Sequence, residues 1–134
     1  MDYTEWARDF FKDDRFATEV TGIRIDEARE GYARCTLQVS ERHFGALGIV
    51  MGGALFTLAD FAFAVAANAG QQHTVSMNIS INYLSPAHGP LLTAIATPVK
   101  SGRRTCTYIV EIFDGDELSG TKCAFATAIG HRVD

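Results

Sequence analysis

The stretch that decides the fold of this chain is Gly-Ile-Val-Met-Gly-Gly at residues 48–53, followed by an almost wholly apolar run over residues 54–69. The run predicts a helix that is buried on nearly every side, at the centre of a globular fold. It carries one carboxylate, Asp60, two helical turns beyond Gly53 and on the same face. A glycine pair at a helix start exposes N–H groups where the helix dipole favours negative charge, so we expect an oxyanion site and a base to share one pocket.

The segments around this run predict one short helix and six strands. Residues 3–13 have the apolar spacing of an amphipathic helix, and the other segments alternate as strands do. The strands are expected at residues 19–27, 32–39, 76–83, 91–99, 104–113 and 117–129. The order helix, two strands, long helix, four strands predicts an α+β fold, in which an antiparallel sheet wraps around a long central helix.

The strand at residues 76–83 has the clearest pattern. Polar and apolar residues alternate strictly, which is typical of a half-buried strand. The polar face is expected to contain Ser76, Asn78, Ser80 and Asn82, and to meet water or another subunit.

The composition restricts the class of protein. A chain of 134 residues suits a single domain, residues 1–134, and its net charge of −4 gives no reason to expect nucleic acid as a partner. Three cysteines without close spacing predict buried, reduced thiols. The first residues are acidic where a signal peptide is basic, and the apolar run is rich in alanine and interrupted by Asp60, so we expect a cytoplasmic protein that does not enter the membrane.

The central stretch resembles the signature of the hotdog-fold acyl-CoA thioesterases of the phenylacetate-degradation, or PaaI-like, type. That signature reads Asn-x-x-Gly-x-x-His-Gly-Gly, then an apolar segment that ends in Leu-Ala-Asp. In residues 45–60 the glycine pair and Asp60 match, whereas Gly45 and Met51 stand in place of the Asn and the His. The resemblance continues through residues 76–87 and covers most of the chain from about Val20.

The resemblance implies a hotdog fold and an enzyme that hydrolyses an acyl-CoA, with an aryl or a short- to medium-chain acyl group, to a carboxylic acid and free CoA. Coenzyme A is then part of the substrate, and no separate cofactor is expected. Relatives of this type form dimers or dimers of dimers with active sites at the subunit interface, so a homo-oligomer, such as a homotetramer, is expected.

Four residues are candidates for catalysis. Asp60 is expected to act as base or nucleophile, because burial raises a carboxyl pKa toward the range that suits a general base. In the relatives, this carboxylate reaches a substrate held by the neighbouring subunit. The N–H of Gly53, together with that of Gly52, is expected to stabilise the oxyanion. Ser76 aligns with a residue that positions water in some relatives, although a surface serine on a strand is the ordinary alternative.

Met51 and Gly45 are candidates for substrate binding that lack the family's polar groups. A thioether neither donates a strong hydrogen bond nor accepts a proton, and Gly45 has no side-chain amide. The alternative is therefore a non-catalytic hotdog protein that binds or senses acyl-CoA. A hotdog dehydratase is a further alternative, but it needs a histidine beside the carbonyl, and only His43 is near in sequence.

A basic turn supplies the remaining candidates, Lys100, Arg103 and Arg104. Similar turns in the family contact the phosphates of CoA, and both kinds of cation suit that task. The alternative is a solvated hairpin tip. The remaining histidines have no spacing typical of metal ligands, so no metal site is expected.

Overall fold

A single antiparallel sheet surrounds the long helix in the computed structural model, which describes residues 1–133. The chain forms helix α1 (Thr4–Phe10), strands β1 (Ile23–Arg29) and β2 (Tyr32–Gln38), helix α2 (Gly52–Asn68), and strands β3 (Thr74–Tyr83), β4 (Leu91–Ser101), β5 (Thr105–Asp114) and β6 (Thr121–Arg132). The sheet order is β1-β2-β4-β5-β6-β3, and every neighbouring pair is antiparallel. The predicted α+β architecture is confirmed.

Helix α2 is apolar almost all round because it contacts every strand of the sheet. Leu58, Phe63 and Val65 are fully buried, and burial of a side chain of this size contributes about 1.5–3 kcal/mol. A stripe at helical spacing stays partly exposed. It contains Gly53, Thr57, Asp60 and Ala64.

Two predicted strand starts are wrong, and local hydrogen bonds explain both. Residues Phe16–Thr21 form a turn of π-helix instead of the start of β1, and the turn ends at Gly22, whose φ of 92° lies in the left-handed region. Before β6, the carboxylate of Asp116 accepts hydrogen bonds from the N–H groups of Leu118 and Ser119, which holds a turn where a strand was expected.

The strict alternation predicted for β3 is wrong at the start of the strand. The register against β6 shifts between Ser76 and Asn78, and a β-bulge of this kind re-aims the neighbouring side chains. Ser76 therefore lies on the side of α2, together with the partly buried Ile79 and Ile81. The rest of β3 is mostly exposed rather than half-buried, because β3 is the last strand of the sheet.

Two further expectations concern membrane-spanning helices and thiols. Within residues 1–133, none of the helices has the length and hydropathy needed to cross a lipid bilayer. The three cysteines are buried and free, as predicted, and they are Cys35, Cys106 and Cys123.

Candidate active site

Asp60 lies on the partly exposed stripe of α2, with Ser76 of β3 beside it. The Ser76 hydroxyl donates a hydrogen bond of 3.2 Å to Asp60 Oδ1. Burial raises the pKa of Asp60 above its ordinary value, the Ser76 hydrogen bond lowers it, and the charge of Asp14 raises it again. A carboxylate with a raised pKa and a neighbouring hydroxyl is suited to take a proton from water.

The start of α2 presents unused hydrogen-bond donors. Met51 is in an extended conformation, and its carbonyl accepts from the N–H groups of Ala54 and Leu55. Within residues 1–133, the N–H groups of Gly52 and Gly53 donate to no protein acceptor. A side chain added at Gly53 would meet nothing within 4 Å. The Gly53 N–H is therefore open to a ligand oxygen, and the dipole of α2 favours negative charge there.

Two adjoining grooves follow the exposed stripe of α2. We call the first the Asp60 groove; it has a volume of about 490 Å³ and also contains Asp14. The second, the Gly53 groove, has a volume of about 340 Å³ and contains Met51. The two share Phe16 and Thr57. A larger cavity of about 540 Å³, between α1 and β1, contains none of the predicted site residues.

The Gly53 N–H and the Asp60 carboxylate of one chain do not reach the same atom. Asp60 follows Gly53 by seven residues, which span about 10 Å along a helix axis. N–H groups at a helix start point away from the helix, whereas Asp60 lies two turns inside it. Within one chain the two groups therefore line two adjoining grooves, and a shared pocket stays a prediction.

Gly45 and Met51, the two departures from the family signature, contact each other. A Cβ atom at Gly45 would lie 2.9 Å from Met51 Cγ. The loop that holds them is closed by hydrogen bonds from Gly45 N to Ile49 O (2.9 Å) and from Met51 N to His43 O (2.9 Å). The glycine therefore makes the room that the Met51 side chain occupies, and the two residues form one packed unit.

His43 supplies no replacement for the missing histidine. It is buried, its Nδ1 accepts a hydrogen bond from Ser40 N (2.9 Å), and its Nε2 donates to Thr21 O (2.7 Å). Both ring nitrogens are thus occupied by backbone groups. His43 therefore ties the loop to the π-helical turn instead of supplying the histidine that a hotdog dehydratase needs.

The basic turn lies at the opposite end of α2 from Gly53. Lys100, Arg103 and Arg104 are exposed, and within residues 1–133 none of them forms a salt bridge. The neighbouring Ser101 hydroxyl lies 3.4 Å from the side-chain oxygen of Gln71, just beyond the end of α2. These cations are therefore free for an anionic ligand, but in one chain they are remote from the start of the helix.

The sequence alone did not single out Asp14, Phe16 or Tyr83. Asp14 and Phe16 line the Asp60 groove, and the hydroxyl of Tyr83 donates a hydrogen bond of 3.0 Å to Gly52 O. No spacing rule links these positions with α2, because the contacts depend on the π-helical turn and on the end of β3. The only visible signal was the Asp-Asp pair at the end of the predicted first helix.

Comparison with known proteins identifies the family. Residues 47–121, more than half of the chain, match the model of the thioesterase superfamily. The chain belongs to this superfamily. The match begins in the loop before α2 and continues into β6, so it includes Met51, the glycine pair and Asp60. It confirms the predicted class of enzyme, a thioester hydrolase.

The relatives of this thioesterase include acyl-CoA hydrolases. The chain is 34% identical over 136 residues to the acyl-coenzyme A thioesterase PaaI of Escherichia coli, with 99% of the chain and 94% of the relative covered. It is 36% identical over 110 residues to a putative esterase of Archaeoglobus fulgidus, with 81% and 71% covered. The predicted PaaI-like type is confirmed.

Solved structures agree with this assignment. The structure of E. coli PaaI, from the phenylacetic acid degradation operon, superposes with a TM-score of 0.88 at 27% identity. The superposition covers 98% of the present chain and 94% of the PaaI chain. A hypothetical thioesterase from Streptococcus pneumoniae, crystallised with coenzyme A, superposes with a TM-score of 0.82 at 27% identity, with 92% and 96% covered. The expected hotdog fold is confirmed.

Proposed function

We propose that this thioesterase hydrolyses the thioester of an acyl-CoA, with an aryl or a short- to medium-chain acyl group, to a carboxylic acid and free CoA. The observation that carries the proposal is the pairing of unused N–H donors at Gly52 and Gly53 with a partly buried, hydrogen-bonded Asp60 on the same helix. The names of the relatives, an acyl-coenzyme A thioesterase and a thioesterase solved with coenzyme A, support this substrate class. No cofactor is needed beyond the CoA of the substrate.

The reaction divides between these groups. The Gly53 N–H, with that of Gly52, holds the carbonyl oxygen and stabilises the negative charge that develops there. Asp60 takes a proton from water while the water oxygen bonds to the carbonyl carbon, and Ser76 orients the carboxylate. The carbon–sulfur bond then breaks, and the CoA thiolate leaves and is protonated. In the alternative route, Asp60 attacks the carbonyl directly and the carbon–sulfur bond breaks, so that the CoA thiolate leaves and is protonated. Water then hydrolyses the resulting anhydride to the carboxylic acid and free Asp60.

The active site is proposed to form between two subunits. Because one chain separates its N–H donors from Asp60 by about 10 Å along the helix, a second copy must supply one of the two groups. A two-fold axis that sets two α2 helices antiparallel would bring Asp60 of the partner subunit to the Gly53 N–H. Beyond Thr74, which bonds the Asn68 side chain, the outer edge of β3 is uncovered within residues 1–133, and pairing of two such edges would form the dimer. A homotetramer would be a pair of these dimers.

Activity is tested by following thiol release from short, medium, long and aryl acyl-CoAs. The Gly53→Pro variant removes the N–H within the first helical turn, where proline is tolerated. Gly53→Ala is the matched control, because it keeps the N–H and its Cβ meets nothing within 4 Å. Loss of activity in Gly53→Pro but not in Gly53→Ala supports the oxyanion role, and equal activity in both rejects it.

The shared site is tested by complementation. Co-expression of Asp60→Asn with Gly53→Pro produces heterodimers in which one site carries both lesions and the other carries neither. In a random mixture about a quarter of all sites are then intact, so activity recovers to about a quarter of wild type. A site built within one chain gives no recovery.

The basic turn is proposed to bind the phosphates of CoA, by its three unpaired cations. Charge reversal at Arg103 and Arg104 is expected to raise KM for an acyl-CoA about tenfold at low salt, and less with added salt. A truncated acyl-pantetheine thioester, which lacks the nucleotide phosphates, is the control substrate. An equal loss for both substrates contradicts this role.

A second function, acyl-CoA binding without turnover, is favoured by the packed pair of Gly45 and Met51 in place of the family's polar residues. The double variant Gly45→Asn, Met51→His tests it. An enzyme is expected to gain about tenfold in rate from a restored hydrogen bond. A wild type and a double variant that both bind acyl-CoA but release no thiol establish the binding function.

A further inference from the structure

Tyr83, the last residue of β3, contacts the peptide group that carries the proposed oxyanion donor. Its hydroxyl donates a hydrogen bond of 3.0 Å to Gly52 O. Its ring lies against Gly52, where an added Cβ would be 2.9 Å from the ring carbon Cζ. Glycine at position 52 is therefore what allows the ring to approach, and the end of β3 is joined to the first turn of α2.

The bonded carbonyl belongs to a particular peptide unit. Gly52 C=O and Gly53 N–H are the two ends of one planar amide, in which electron density moves from nitrogen to oxygen by resonance. A hydrogen bond received by the oxygen increases this shift and makes the N–H a stronger donor, because hydrogen bonds in a chain polarise one another. The effect is useful only where the N–H is unused, as it is at Gly53.

A second hydroxyl in the same turn provides the contrast. Thr57 Oγ1 donates a hydrogen bond of 2.8 Å to Gly53 O. The N–H of that peptide unit belongs to Ala54, and it already donates to Met51 O over 3.0 Å. Thr57 thus polarises a donor that is occupied inside the helix, whereas Tyr83 polarises a donor that is open to a ligand.

We propose that Tyr83 is a positioning residue for the oxyanion site, whose hydroxyl fixes and polarises the peptide between Gly52 and Gly53. The inference rests on the proposed function for its effect on rate, but the polarisation itself is a property of the protein without substrate. Because the bond strengthens a donor that acts on developing charge, its loss affects the transition state more than the bound substrate.

The first test is the kinetics of Tyr83→Phe, which keeps the ring and removes the hydroxyl. We expect kcat to fall about three- to tenfold, the value of one net hydrogen bond, with KM within about twofold of wild type. Tyr32→Phe on β2 removes a phenol whose ring packs on Arg29 and not on the start of α2, and it is the matched control. Gly52→Ala, which displaces the ring, is expected to lower kcat to a similar extent.

The second test needs no turnover. The amide proton of Gly53 is measured by NMR in the ligand-free protein, and weaker polarisation in Tyr83→Phe is expected to move it upfield, while Tyr32→Phe leaves it in place. An unchanged Gly53 signal overturns the inference, and a fall in kcat without that shift assigns Tyr83 a purely structural role. If wild type hydrolyses no acyl-CoA, the proposed function fails, and the NMR measurement still decides the polarisation.

Discussion

The two edge strands of the sheet, β1 and β3, differ in whether other residues cover their outer backbone edge. The outer edge of β1 is covered by the N-terminal segment: Tyr3 N donates to Ala28 O (2.8 Å), Ala28 N donates to Thr4 Oγ1 (3.0 Å), and Arg8 Nε donates to Ile25 O (2.9 Å). On β3, the side chain of Asn68 bonds the N–H and C=O of Thr74. Beyond Thr74 the outer edge of β3 has no such cover within residues 1–133, and its ten residues include no charged side chain.

The covered edge of β1 and the uncovered edge of β3 have different roles, one in stability and the other in function. An uncovered edge strand without charges is a template for pairing with another chain, and natural proteins normally block such edges. Here the blocked edge carries none of the proposed catalytic residues, whereas the open edge carries both Ser76, which bonds Asp60, and Tyr83, which bonds the start of α2. The strand whose outer edge is uncovered is thus the strand that supports the proposed catalytic groups.

The largest effect on activity is expected from charged substitutions that prevent another chain from pairing with the outer edge of β3. Asn78→Lys with Ser80→Lys places like charges on both copies of β3, so the dimer should dissociate and the shared sites should lose about a thousandfold in kcat/KM. Sedimentation and thiol release are measured together. Arg24→Glu on β1 is the control and should change neither; an active monomer would disprove the shared site.

Removing the base is expected to have the next largest effect. Asp60→Asn should lower kcat by about a hundredfold while acyl-CoA binding is retained. The same variant should be more stable at neutral pH, with a Tm about 1–3 °C higher. The folded-state pKa of Asp60 is raised, so the ionised carboxylate destabilises the fold at pH values above that pKa. Below the pKa that Asp60 has in the unfolded chain, this destabilisation is absent. The gain in Tm should disappear as the pH falls to about 4.

Removing the hydrogen bond between Ser76 of β3 and Asp60 should have an intermediate effect on activity. Ser76→Ala should lower kcat by about tenfold, because the carboxylate loses its orienting hydroxyl. The Ser76 hydrogen bond lowers the pKa of Asp60, so its loss raises that pKa. The acid limb of the kcat/KM profile should move to higher pH, and a limb that moves to lower pH would contradict this role.

Asp14, which also lines the Asp60 groove, should have the opposite effect to Ser76 on the pKa of Asp60. The negative charge of Asp14 raises the pKa of Asp60, so Asp14→Asn should move the acid limb to lower pH and change the plateau by about twofold at most. Asp9→Asn, on α1 and paired with Lys12, is the control. An identical profile for wild type and Asp14→Asn would show that the two carboxylates do not interact.

The smallest effect on activity is expected from the covered edge. Thr4→Val leaves Ala28 N without its side-chain acceptor, which should cost about 1–2 kcal/mol of unfolding free energy. Because neither Thr4 nor β1 lines the Asp60 groove or the Gly53 groove, kcat should stay within about twofold of wild type. Denaturant unfolding and thiol release measure the two effects separately. A large loss of kcat would contradict the view that the β1 edge serves stability and the β3 edge serves function.

The sequence predicts what depends on periodicity and on a local motif. The long helix, its glycine start and Asp60 follow from an apolar run with one carboxylate, and the order of the elements follows from alternation. The bulge between Ser76 and Asn78 does not, because strict alternation of residue types hides an extra residue in the strand. The π-helical turn is missed as well, since a left-handed Gly22 and an ordinary turn glycine look alike in sequence.

The contact between Gly45 and Met51 also imposes an order on evolutionary change. Asparagine at position 45 would have to enter space that the methionine holds, with Cβ already 2.9 Å from Met51 Cγ. Histidine at position 51 also has a Cγ atom, but beside Gly45 that atom meets no side chain. A lineage that moves between this pair and the family's polar pair therefore meets less steric conflict through histidine with glycine, because asparagine with methionine requires the Met51 side chain to move.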